Sequence, residues 1–240
     1  MNKTLPIRIG ALACLLVLAG CGGGGGGGSS STPSAPVAST NTFPLLDGLQ
    51  KRIKAGASDK FTVEDFCTGT STITYSTPVA DTFEGVPGYS VTQTATATYT
   101  NCAPSPITVT VTNHYDANYT LIGTTSAGGQ YVSFVPPVPP ALPASVKVGD
   151  TGTMVSMNMF TSSTKTIQTG KRVLTYQIEP DTASTAIFDL TTQDFGSNGA
   201  VTITEHSLYR MAADGTLTLL YIDVKYSPPD NRHLLYVRVP

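Results

Sequence analysis

The stretch Tyr89–Asn101, YSVTQTATATYTN, leaves a folding chain little choice. Thr92, Thr94, Thr96, Thr98 and Thr100 fall on one side of an extended chain, and Val91, Ala95, Ala97 and Tyr99 on the other. A period of two matches a β-strand, whose successive side chains point to opposite faces, and no helix gathers those residues so. Threonine, valine and tyrosine also suit a half-buried pleated surface.

Ile107–Leu121 repeats the pattern, with Ile107, Val109, Val111, Tyr115, Tyr119 and Leu121 on one face, after a tight link through Cys102–Pro106. Further strands are predicted at 153–160, 172–178, 185–195, 200–211, 216–226 and 233–239. Ser197-Asn198-Gly199, Asp214-Gly215 and Ser227–Asn231 supply hairpin chemistry between them. Leu45, Leu46, Leu49 and Ile53 recur at helical spacing, so a short amphipathic helix is expected over Phe43–Ala55, stopped by Gly56. The expectation is an all-β antiparallel meander, either a curved half-barrel or a sandwich, with one short N-terminal helix. The proline run within 136–143 either divides 43–240 into two β subdomains or straps across one sheet, because proline gives no ladder donor. A membrane-spanning barrel fits poorly. The strands are uneven, their apolar faces are diluted by Ala, Thr and Gln, and the chain closes on Val-Arg-Val-Pro.

Composition removes other classes. Charged residues are 12% of the chain, and removing Lys3 and Arg8 leaves 12 basic against 16 acidic side chains. No basic stripe is available for phosphates, so nucleic acid is not an expected partner.

The N-terminus carries an address. Lys3 and Arg8 precede IGALACLLVLAG at Ile9–Gly20, an apolar run too short to cross a bilayer, which takes about 20 helical residues. That order is read by an export machine. Leu18-Ala19-Gly20-Cys21 resembles the lipobox of bacterial lipoproteins. The resemblance covers the first 21 residues and implies cleavage before Cys21, acylation of Cys21, and a membrane partner held through lipid. Gly22 stands where aspartate would retain such a protein on the inner membrane, which implies an outer-membrane anchor facing the periplasm. Residues 21–42 then form a flexible tether of Gly, Ser, Thr, Pro and Ala, and 43–240 the β domain. With Cys14 lost and Cys21 lipidated, Cys67 and Cys102 are an even pair in an oxidising compartment, expected as a disulfide closing a loop of about 36 residues.

Catalytic motifs are thin. Asp150-Thr151-Gly152 resembles the aspartic-protease triplet but occurs once, Ser162–Lys165 spells SxxK between strands, and Asp194-Phe195-Gly196 spells DFG without kinase companions. The histidines are His114 (near Asp116), His206 (beside Glu205) and His233; no catalytic, metal or cofactor set is expected from them. The expected role is a non-catalytic binding or structural module at the cell envelope with a protein or hydrophobic partner. The alternatives are a carrier of lipid or another hydrophobic ligand, and a hydrolase using Asp150 or a histidine. A carrier requires an apolar cavity between the sheet and Phe43–Ala55.

Overall fold

The computed structural model describes residues 3–4, 36 and 38–240. Cys21 and the first part of the tether lie outside the described residues. Among the described residues a single helix, α1 (Leu45–Ala55), is followed by thirteen strands of one sheet. They are β1 (Ala57–Asp65), β2 (Gly69–Tyr75), β3 (Val79–Phe83), β4 (Val86–Tyr99), β5 (Ile107–Asp116), β6 (Leu121–Ser126) and β7 (Tyr131–Phe134). After the proline segment come β8 (Thr151–Phe160), β9 (Gln168–Pro180), β10 (Thr185–Gly196), β11 (Val201–Ala212), β12 (Leu217–Tyr226) and β13 (His233–Arg238). Apart from the sheet, Lys3–Thr4 run parallel to Cys102–Ala103.

Each strand pairs antiparallel with the next around a ring, and β13 returns to β1, Tyr236 opposite Val63. The all-β antiparallel expectation therefore holds, but the sheet goes beyond a half-barrel. It closes as twelve strands, with β3 left over. Closure leaves no exposed ladder in the ring. β2 and β3 are two parts of one line of chain: Gly69–Tyr75 pairs with Tyr99–Gln93 of β4, and Val79–Phe83 with Ser90–Val86 of the same strand. The β3 hairpin folds onto the outer face, where the Phe83 ring stacks on His114 (centroids 4.2 Å apart). A Cβ at Gly123 would lie 2.2 Å from that ring, so only glycine leaves room for it.

The residues across 136–143 connect β7 to β8, neighbours in the ring. The expected run Ile107–Leu121 is broken. The Asp116 carboxylate accepts from the backbone N–H of Asn118 and of Thr120, both at 2.8 Å, and Tyr119 takes φ +64°. That side-chain capture competes with the ladder and forces a turn, so β5 ends at Asp116 and β6 restarts at Leu121.

Register and burial assign the two faces. Inward positions include Phe61, Ile73, Leu174, Phe188, Met211 and Tyr236, all buried. Outward positions hold the threonine rows, in which Thr96 and Thr108 hydroxyls meet at 3.1 Å, together with Glu64, Lys171, His206 and Lys225. This is the reverse of a membrane barrel, whose outer band is apolar. Eight strands enclose just enough space for side chains to fill. Twelve enclose more, and α1 takes part of the excess by lying across one end. At the opposite end Cys67 and Cys102 are joined, their Cα atoms 5.6 Å apart, between the β1–β2 and β4–β5 connections.

Candidate ligand site

Eleven residues of helix are too few to be stable alone, so α1 depends on its seat. Leu45 and Gly48 are buried in it. Around the rim, Gln50 Nε2 donates to the Asn118 carbonyl (3.2 Å) and Lys51 Nζ to the Asp214 carbonyl (3.3 Å). Arg52 reaches inward, donates to Asp59 at 2.7 Å and lies over the Tyr209 ring, 5.1 Å from its centroid. Asp59 also accepts from Arg238 Nε at 2.8 Å. Burial works against the Arg52 charge, but Tyr209, Asp59 and Tyr75 outweigh it and hold its pKa above the ordinary value. Burial raises Tyr75 well above 10, so both tyrosine and arginine keep their protons here.

Beneath the helix lies a cavity of about 120 Å³. Leu49 and Ile53 form its roof, and Val91, Met154, Leu174 and Leu190 much of its wall. Two amides interrupt this apolar lining, Gln93 (1% exposed) and Asn113 (3% exposed). Asn113 Nδ2 donates to Gln93 Oε1 at 3.2 Å. Asn113 Oδ1 has no hydrogen-bond partner among the described residues. A buried acceptor left so costs about 1–3 kcal/mol. The cavity thus offers dispersion contacts on most sides, the rings of Tyr75, Tyr115, Tyr119 and Tyr209, and one acceptor left without a partner.

Lower in the barrel, β9, β10 and β11 turn polar chains inward. Arg172 forms a two-pronged pair with Asp194, Nε to Oδ1 at 2.6 Å and Nη2 to Oδ2 at 2.7 Å, and Thr192, Glu205 and Ser207 face the same interior. A wider recess opens at that end, with Phe160, Asp194, Phe195 and Tyr226 on its rim. Burial pushes the Tyr226 hydroxyl up to about 12.

The residues singled out in the sequence lie apart. Asp150 caps a turn before β8, accepting from the Lys147 N–H at 2.8 Å. Ser162 and Thr164 bond to each other in the β8–β9 loop, and Lys165 pairs with Glu84. Asp194 of the DFG triplet, which ends β10, is the buried partner of Arg172. His114 sits between Asp81 (2.6 Å) and Thr125 (3.1 Å), while Asp116 serves its own turn. His206 pairs with Asp189 at 3.2 Å, and Glu205 points into the barrel. His233 bridges Asp65 and Asp223, at 2.5 and 2.7 Å. Among the described residues no group of three or more His, Cys, Asp or Glu is placed to hold a metal. The cavity residues Gln93 and Asn113 were not singled out, although each is a polar interruption at an inward position of an alternating strand. No family model, curated protein or solved structure matches the chain.

Proposed function

We propose that the protein is a lipid-anchored binding module of the cell envelope that takes a small apolar molecule into the barrel beneath α1. The observation that carries the reading is the cavity itself. It lies between the sheet and the helix, is mostly apolar, and keeps an orphaned acceptor. Ligand sites commonly combine an apolar lining with a few placed polar groups. Size favours a small ligand over a lipid: about 120 Å³ is close to the roughly 150 Å³ that holds one benzene ring, and far short of a long acyl chain. The anchor rests on Leu18–Cys21 and on the glycine-rich stretch that follows. Anchoring at the outer membrane, facing the periplasm, is part of the same proposal.

Two measurements test it. Metabolic labelling with palmitate should mark the wild-type chain and not Cys21→Ala; label retained on Cys21→Ala overturns the anchor. Native mass spectrometry of the full chain carrying Cys21→Ala, recovered from the periplasm, should show a reproducible added mass below about that of a two-ring compound. A bare mass across several growth media overturns the binding reading.

A further inference from the structure

We infer that the molecule taken up under α1 is uncharged, about the size of a single ring, and carries a hydroxyl that donates to Asn113 Oδ1. The inference rests on the binding reading above and adds the chemistry of its ligand. Three features of the site lead to it.

The first is orientation of the amide pair. Asn113 Nδ2 has a partner in Gln93 Oε1, whereas Asn113 Oδ1 has none, and a carbonyl oxygen is satisfied only by a donor. Gln93 and Asn113 stand on adjacent strands, with Val91 directly opposite Asn113. The sheet fixes their backbones, and burial and the bond between them restrain the two amides, so the acceptor is placed before any ligand arrives. A fixed acceptor discriminates strongly, because a ligand without the donor leaves it unpaired.

The second is charge. Arg52 is the cation at the roof, and its guanidinium is engaged by Asp59 and covered by Tyr209. An anionic ligand would compete with Asp59, and a cationic one would meet Arg52 at close range in a poorly screened interior. Neutral molecules avoid both costs.

The third is volume and shape. Aliphatic side chains and Met154 form most of the remaining wall, with the rings of Tyr75, Tyr115, Tyr119 and Tyr209, and these give dispersion and ring contacts. A space of about 120 Å³ admits a single ring or a short branched alcohol. Phenols and small alcohols fit all three demands.

The test compares phenol with toluene, which match in size and differ in the donor. Binding to the full chain carrying Cys21→Ala is followed by ligand-observed NMR at neutral pH, where phenol is uncharged. Phenol should bind about two- to tenfold more tightly than toluene, the advantage of one net hydrogen bond. In Asn113→Leu the order should reverse, toluene binding more tightly than phenol. Circular dichroism and the retained binding of toluene show that this variant is folded. Equal affinities in the wild type, or a preference for phenol that survives Asn113→Leu, overturn the donor rule while leaving the binding reading intact. Failure of both probes to bind the folded wild type overturns the two together.

Discussion

Gly48 of α1 rests directly on the backbone of Gly215: a Cβ built on Gly48 would lie 2.2 Å from the Gly215 carbonyl oxygen. Helix and β11–β12 turn thus meet backbone to backbone. Gly215 holds φ +84°, a conformation that glycine adopts at little cost. Alanine is the better helix former by about 1 kcal/mol, so propensity alone favours Gly48→Ala. The clash is with a carbonyl that cannot swing away, and the structure predicts a loss of about 1–3 kcal/mol instead. Urea unfolding checks the sign. The same variant should bind toluene more weakly, because a lifted helix opens the roof.

A second prediction concerns the charges inside the barrel. Arg172 and Asp194 side chains are 1% and 4% exposed. Removing the carboxylate takes away both hydrogen bonds and the countercharge that a buried guanidinium relies on, at a cost of about 3–5 kcal/mol. Asp194→Ala should lose that amount in chemical unfolding. Asp194→Asn keeps an acceptor for the guanidinium and should lose less. Equal losses in the two variants would mean that packing, not charge, is what Asp194 supplies.

The third is a pH dependence. The hydrogen bond to Asp189 raises the pKa of His206 above 6.5, against the opposing effect of burial. A raised folded value means that the folded state binds the proton more tightly than the unfolded chain. The contribution of the pair is therefore full below about pH 6.5 and is lost as pH climbs through the folded value. Glu179, pushed up by burial and by Asp189, contributes in the same sense at lower pH. Unfolding midpoints measured from acid to mildly alkaline pH should fall for the wild type relative to Asp189→Asn. The difference should stay under about 1 kcal/mol, since the pair is partly solvated.

Much of the ring could be read from the chain, because alternation is a local signal. β4 and the six C-terminal strands lie within a few residues of the periodic runs, and α1 starts only two residues later than expected. Closure could not be read. It depends on Tyr236 meeting Val63 across most of the sequence, and neither segment encodes its partner. β6 and β7 escaped for a different reason. Leu121–Ser126 and Tyr131–Phe134 are short, and Ile122, Gly123 and Thr124 are buried without alternation because the β3 hairpin covers their outer side. The site was half legible. Leu49 and Ile53 marked the helix face that roofs it, whereas Gln93 and Asn113 read as ordinary polar strand residues until the register turned both inward. Arg172 hid in the same way, as a charge among charges whose burial only the closed barrel creates.

The entry of the chain into the fold gives the molecule a mechanical weak point. Phe43 is held to Val146 by reciprocal backbone bonds of 2.8 and 2.9 Å, and the chain passes from there straight into α1. A pull from the N-terminal side is borne by Ser39, whose hydroxyl donates to the Ala183 carbonyl at 3.0 Å, then by that bridge and the helix contacts, which can peel away one after another. The ring of strands is loaded only afterwards, and then along its ladders, where many bonds must shear together. Force therefore uncovers the cavity well before it unfolds the barrel.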